Sequence, residues 1–166
     1  MDFPLAHLTF GSWEEIHACF YSFEKIDVTG STSSFIKAMQ FVKDLNANPQ
    51  NYTVSPYTAG VSAYDVWISG IEKGYGKEHG NWWNGIVWSE CRKQAALYFD
   101  EKAVELPDYS EILLKLKLLY NEIGDILLKV SKKELEDSKI IDLLEKAKTL
   151  EINALHLVNE LILSIS

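Results

Sequence analysis

Two stretches of the C-terminal third carry apolar side chains at alternating steps of four and three residues, and this pattern restricts the fold more than any other feature. The first stretch has Ile112, Leu116, Leu119, Ile123, Ile126 and Val130. The second has Ile140, Leu144, Ala147, Glu151, Ala154, Val158, Leu161 and Ile165. Such spacing places one apolar stripe on one face of a helix. Because a short link near Asp137 separates the stretches, we expect two antiparallel helices.

Three more helices are predicted upstream, over about 33–45, 62–74 and 81–104. The last of these carries apolar residues around most of its circumference, which is typical of a central helix. Gly74 is placed to end the second helix. Side-chain N-caps are predicted at Asn81 and at three capping-box-like pairs, Ser62 with Asp65, Asp108 with Glu111, and Ser131 with Glu134.

The N-terminal part differs from the rest. Residues 16–26 are rich in aromatic and apolar side chains and indicate a strand. The sequence therefore predicts a mainly α fold, a helical bundle of about five helices with a short extended or β N-terminal element. The predicted division is an extended segment over 1–28 and a helical bundle domain over 29–166.

Composition excludes several classes of protein. The formal net charge of −8 disfavours nucleic acid and anionic membranes as partners. No apolar run reaches the length of a membrane span, and no basic, apolar leader opens the chain. With only Cys19 and Cys91 present, we expect reduced thiols, a cytoplasmic location and no cofactor.

Two short motifs could carry chemistry, and each has a plainer interpretation that we favour. His17 and Cys19 lie on one side of the predicted strand, as a thiolate–imidazole pair would, but no third group orients them. Gly74, Gly76 and Gly80 resemble an anion-binding loop, but the Lys-Ser/Thr of a phosphate loop is missing. The sequence therefore predicts no catalytic residue and no metal site.

Aromatic residues are concentrated in the middle of the chain. Aromatic side chains line ligand pockets, but they also fill cores, and for a central helix the core interpretation is favoured. The candidate ligand-binding residues are Tyr64, Trp67, Trp82, Trp83, Asn84, Trp88 and Arg92.

Arg92 is the only arginine among sixteen basic residues, which indicates a need for a rigid, planar donor group. Glu151 falls on an apolar seam and needs a partner if it is buried. We therefore predict a structural ion pair, either Arg92–Glu151 or Arg92–Asp65, in preference to a clamp for a ligand carboxylate.

Two segments carry a resemblance to a known family. They are Tyr57-Thr-Ala-Gly-Val-Ser-Ala-Tyr-Asp-Val-Trp-Ile68, followed by Ile71-Glu-Lys-Gly74, and Gly80-Asn-Trp-Trp-Asn-Gly-Ile-Val-Trp-Ser-Glu-Cys-Arg92. Together they resemble the C-terminal helical part of proteins similar to the butirosin biosynthesis protein H N-terminal family, which has a papain-like cysteine-peptidase fold. The resemblance implies that the chain is a C-terminal portion or a naturally short member, with residues 13–26 as the last strand of the papain-like domain. The family's catalytic cysteine and histidine cannot be placed on this sequence.

The resemblance leads to the first of three functional hypotheses. In it, the chain is a non-catalytic helical domain that accompanies a papain-like acyl-transfer or peptidase-like domain, supporting it or forming a wall of its substrate pocket. The second is a free-standing helical module that binds a small apolar or aromatic ligand. The third and weakest is a hydrolase using Cys19 or Cys91. A strand without its sheet also predicts a homodimer or oligomer through residues 3–26, or contact with an upstream catalytic-type domain.

Overall fold

The computed structural model describes residues 31–165, and this part of the chain contains five α-helices. They are α1 (Ser31–Ala47), α2 (Ser62–Glu72), α3 (His79–Glu105), α4 (Ser110–Val130) and α5 (Asp137–Ile165). Short 3-10 turns cover Pro49–Asn51, Tyr75–Lys77 and Pro107–Tyr109. The predicted mainly α bundle is confirmed. The predicted strand over 16–26, the extended segment over 1–28, the His17–Cys19 pair and the contact through 3–26 lie outside the described residues.

The last two helices run antiparallel, as predicted. The Lys146 ammonium lies 2.7 Å from the Glu122 carboxylate, and the Tyr109 hydroxyl donates to the Ser164 carbonyl at 3.3 Å. The start of α4 therefore lies beside the end of α5. The predicted seam of α5 is buried at every position except Ile165, which is half-buried.

The predicted seam of α4 is only partly right. Leu116, Ile123, Ile126 and Val130 are buried, whereas Ile112 and Leu119 are half-buried, and Leu113, Tyr120 and Leu127 are buried in addition. The reason is that α4 packs on both α3 and α5. Its buried surface is therefore wider than the single stripe that a two-helix contact requires.

The prediction that the tryptophans of α3 fill the core is wrong, although Phe99 of the same helix is buried there. Trp83 and Trp88 are 55% and 46% exposed, and Trp82 is half-buried. The buried positions of α3 are Asn81, Gly85, Ser89, Ala96, Phe99, Lys102 and Ala103. Small residues on this face let α3 approach α4 closely, and a tryptophan would not fit there.

Gly85 and Ser89 show how close the two helices are. A Cβ atom on Gly85 would lie 2.8 Å from the backbone nitrogen of Ser131. One turn further along α3, the Ser89 hydroxyl donates to the Gly124 carbonyl at 2.8 Å. The helices therefore touch nearly backbone to backbone at both levels.

The predicted N-cap at Ser62 is wrong, and so is the one at Asn81. The Ser62 hydroxyl donates backwards to the Ala59 carbonyl at 2.8 Å, and Asp65 pairs with Lys148 of α5. Asn81 lies inside α3, which begins two residues earlier at His79, and its amide binds other parts of the chain. Ser62 therefore binds a local carbonyl in place of a capping N–H. Asp65 and Asn81 instead bind partners from other parts of the chain.

The other two predicted capping pairs are also wrong. Tyr109 precedes α4 without a side-chain capping hydrogen bond, and Glu111 binds Lys115 one turn on at 2.6 Å. The Ser131–Glu134 pair lies in the link before α5, which begins at Asp137. The prediction that Gly74 ends the second helix is confirmed. α2 stops at Glu72, and Gly74 follows it with φ 90°, a left-handed conformation that suits glycine.

Buried apolar residues form two clusters. One joins α1 and α3 with the start of α4 and the end of α5, and the other joins α2 with the end of α4 and the start of α5. On α5, Ala147 belongs to the second cluster and Ala154 to the first. Glu151 lies between these alanines, at the boundary of the two clusters, where a cavity opens.

Candidate ligand-binding cavity

A cavity of about 830 Å³ lies at this boundary. Val42 and Leu45 of α1 line it on one side, and Trp67 and Ile71 of α2 line it on another. Trp88 contributes from α3. The volume falls within the range of small-molecule sites, about 300–1,000 Å³.

Five of the seven candidate ligand-binding residues line this cavity: Tyr64, Trp67, Asn84, Trp88 and Arg92. Trp82 and Trp83 lie outside it. The Trp82 side chain lines a separate, smaller hollow with His79 and residues 131–134, and its ring lies 6.2 Å from that of Trp83. The sequence therefore located the right helices but could not separate the two sides of α3.

An ion pair forms part of the cavity lining. The Arg92 Nε donates to Glu151 Oε1 at 2.5 Å, and the two side chains are 22% and 8% exposed. The Tyr64 hydroxyl donates to the same oxygen at 3.2 Å. The predicted Arg92–Glu151 pair is therefore confirmed.

The alternative pair, Arg92 with Asp65, is wrong. Asp65 directly follows the buried Tyr64 on α2, and neighbouring helix positions point in directions about 100° apart. The Asp65 carboxylate consequently reaches Lys148 on α5 instead. This second pair is largely exposed on the aspartate side, so it contributes little to stability.

Aromatic rings hold the Arg92 guanidinium in place. Its Cζ atom lies 5.3 Å from the centroid of the Trp88 ring and 6.0 Å from that of Tyr120, within the range of cation–π attraction. Burial acts to lower the pKa of Arg92, but the charge of Glu151 and its hydrogen bond act against it, and the net pKa is raised. The guanidinium is therefore charged at neutral pH.

Several polar atoms of Arg92 and Tyr120 remain available for hydrogen bonds to a ligand. The only hydrogen-bond partner of Arg92 among residues 31–165 is Glu151. A carboxylate can take at most two of the five guanidinium N–H donors, so three or more have no protein partner in that range. The Tyr120 hydroxyl, on a residue 8% exposed, likewise has no hydrogen bond to a described residue. We refer to Tyr64, Arg92, Tyr120 and Glu151 as the polar floor.

Both tyrosines of the polar floor resist ionisation. Burial, followed by the charge of Glu151, raises the pKa of Tyr120 to about 12. The same two causes, in the same order, raise the pKa of Tyr64. Both hydroxyls are therefore protonated at neutral pH, where they can donate hydrogen bonds.

Alkaline titration should reveal this burial. The unfolded chain loses the Tyr120 proton near pH 10 and the folded chain near pH 12. Tyr120 therefore causes no change of stability with pH below about pH 10. Above that pH, ionisation of Tyr120 lowers the free energy of the unfolded state, and stability falls until the folded pKa is reached. Urea unfolding at a series of pH values should show a shallower alkaline decline for Tyr120→Phe than for the parent. Tyr109→Phe, changed outside the cavity, should retain the parent's decline, and equal declines for all three proteins would contradict the interpretation.

Asn81 positions the tryptophan wall. Its Oδ1 accepts from the Trp67 indole Nε1 at 2.9 Å, while its Nδ2 donates to the carbonyls of Gly76 at 2.7 Å and Val130 at 3.1 Å. Only a carboxamide supplies both the acceptor and the two donors at this size. The residue therefore fixes α2, α3 and the end of α4 together beside the cavity.

The described residues contain little else that resembles a reaction centre. Cys91 is exposed on α3, and Cys19 lies outside the described range. No three His, Cys, Asp or Glu side chains within 31–165 are placed to hold a metal ion. None of the helices in that range has the length and apolar character needed to cross a membrane.

Comparison with known proteins adds no relative. No protein-family model, no curated protein and no solved structure matches the chain. The resemblance to the butirosin biosynthesis protein H family therefore stays a prediction.

Proposed function

We propose that this chain is a helical binding module that holds a small molecule with an aromatic or apolar body. The observation that carries the proposal is the cavity of about 830 Å³, whose walls include the rings of Tyr64, Trp67 and Trp88. Trp88 is 46% exposed in the described structure. An occupant that covers this ring removes apolar surface from water, at a gain of about 25 cal/mol per Å².

The apolar walls and the polar floor together support the proposal that the ligand is a small molecule. Ligand sites are mostly apolar, with a few placed polar groups that fix orientation. Here the apolar walls come from α1, α2 and α3, and the charged and hydroxyl groups gather in the polar floor. A site used only for packing would have no need of a charged pair with unused donors.

The proposal is tested by filling the cavity. Gly70 of α2 lines it, and a Cβ atom there would meet nothing within 4 Å. Gly70→Leu should place an isobutyl group in the cavity while raising helix propensity, by about 0.5–1 kcal/mol. We expect the affinity for methylnaphthalene, measured by calorimetry and by shifts of the tryptophan indole N–H resonances, to fall at least about tenfold while the melting temperature is maintained or rises.

A matched tryptophan pair provides the control. Trp88→Leu removes a wall of the cavity, whereas Trp83→Leu removes a similarly exposed ring of the same helix that lies outside it. Binding should weaken in the first variant and be unchanged in the second. Equal affinities for Gly70→Leu and the parent, or equal losses in both tryptophan variants, would overturn the proposal.

The hypothesis of a helical domain that accompanies a papain-like domain remains a separate proposal. In that case the cavity would form part of a larger substrate pocket. The binding experiments above apply to it without change, because they measure only what the cavity holds.

A further inference from the structure

We infer that the ligand carries a neutral amide edge, a carbonyl oxygen beside an N–H group as in a carboxamide or lactam, and that this edge binds the polar floor. The inference rests on the proposed function. It concerns the polar group of the ligand, which the apolar walls cannot recognise because they offer no hydrogen bonds. The hydrogen-bonding capacity left free at the floor carries the argument.

The charges at the floor already cancel. Arg92 is paired with Glu151, and the side chain of Glu151 is more than nine-tenths buried. A ligand carboxylate that approached the guanidinium would lie next to the Glu151 carboxylate, and a ligand ammonium that approached Glu151 would lie next to Arg92. Either charge meets a like charge in a poorly solvated site, which disfavours binding.

The free hydrogen-bonding positions are of both kinds. Three or more N–H donors of Arg92 and the Tyr120 hydroxyl can donate to a carbonyl oxygen. Glu151 accepts from Arg92 and Tyr64 through Oε1, and a carboxylate has about four acceptor positions, so at least one of them remains for a ligand N–H. A neutral amide edge supplies both partners without adding a charge.

The apolar body and the amide edge fit one cavity. Trp88 both lines the cavity wall and contacts the Arg92 guanidinium, so the wall and the floor are adjacent. A ring stacked on Trp88 would bring a substituent one or two bonds away to the guanidinium. Aryl-acetamide geometry meets this requirement.

Four naphthalene probes that share one aromatic body test the inference on the full chain. They are methylnaphthalene, naphthaleneacetamide, naphthaleneacetate and naphthylethylamine, titrated by calorimetry at neutral pH. The acetamide should bind at least about tenfold more tightly than each of the other three, because it alone gains hydrogen bonds without a like-charge contact. If methylnaphthalene binds but the acetamide is no tighter, or if the acetate or the amine is tightest, the inference fails and the proposed function stands. If none of the four binds, both fail.

Tyr120→Phe tests the floor itself. The variant removes one hydroxyl and adds no unpaired group, so acetamide affinity should fall about fivefold relative to methylnaphthalene affinity. Tyr109→Phe is the matched control, because its hydroxyl binds the Ser164 carbonyl away from the cavity, and it should alter neither affinity. Equal weakening of both probes by Tyr120→Phe, or no weakening of either, would overturn the assignment of the floor.

Discussion

Replacing Glu151 with alanine is expected to lower the free energy of unfolding by about 3 kcal/mol. Removing one partner of a buried ion pair typically costs about 3–5 kcal/mol, because the other charge remains without compensation. The lower end applies here, since Arg92 is 22% exposed at the cavity. Urea unfolding measures the change, and the melting temperature should fall by about 6–12 °C.

A double variant distinguishes loss of charge balance from loss of packing. Arg92→Met combined with Glu151→Leu removes both charges and keeps apolar volume, so its stability should lie within about 1 kcal/mol of the parent. The single change at Glu151 would then be more damaging than the double change. If the double variant were as unstable as Glu151→Ala, the stranded charge would not be the cause.

Replacing Gly85 with valine should cost about 3 kcal/mol. The new Cβ atom would lie 2.8 Å from the Ser131 nitrogen and 2.9 Å from its Cα, and backbone atoms cannot rotate away as a side chain can. Overpacking of this kind costs about 1–3 kcal/mol, and the two further methyl groups of valine put the change at the upper end. Thermal and urea unfolding both measure the effect.

Gly70→Val is the matched control for this change. It makes the same chemical substitution inside a helix, but where a Cβ atom meets open space. Stability should be unchanged or slightly higher, because glycine is the poorer helix former. Equal destabilisation at both positions would show that the close contact of α3 with α4 is not responsible.

The parts of the fold that the sequence predicts well are those governed by spacing along one helix. Ile140 and Leu144 belong to a regular seam, and regular spacing is enough to identify a buried stripe. The Arg92–Glu151 pair could be predicted for a different reason. The chain has one arginine, and Glu151 interrupts an otherwise apolar stripe, so the sequence alone distinguishes each residue from its neighbours.

The errors concern which surface of a helix is buried. Trp83 and Trp88 are among the largest side chains of their helix, yet they are exposed, and the small residues Gly85 and Ser89 form its closest approach to α4. A pattern of hydrophobicity favours large side chains, whereas a close contact between backbones requires small ones. The predicted N-cap at Asn81 is wrong because its amide donates to the Val130 carbonyl, 49 residues away, and local sequence gives no sign of this partner.

The candidate cavity was only partly predictable. The sequence indicates Tyr64 and Trp67 because they lie near other aromatic residues along the chain. The sequence does not single out Tyr120, because this residue follows Leu119 outside the predicted seam of α4 and resembles any other core position. Its hydroxyl gains significance only because Arg92 and Glu151, from two other helices, are placed beside it.

Glu151 lies where the two apolar clusters meet, on α5, which like α4 contributes residues to both clusters. Local opening of either half would therefore disturb the same carboxylate and admit water to it. A ligand bound to that carboxylate would stabilise both halves against local unfolding, because binding and folding are linked. With a ligand bound in the cavity, the amide protons of both halves would therefore exchange with solvent as one cooperative unit.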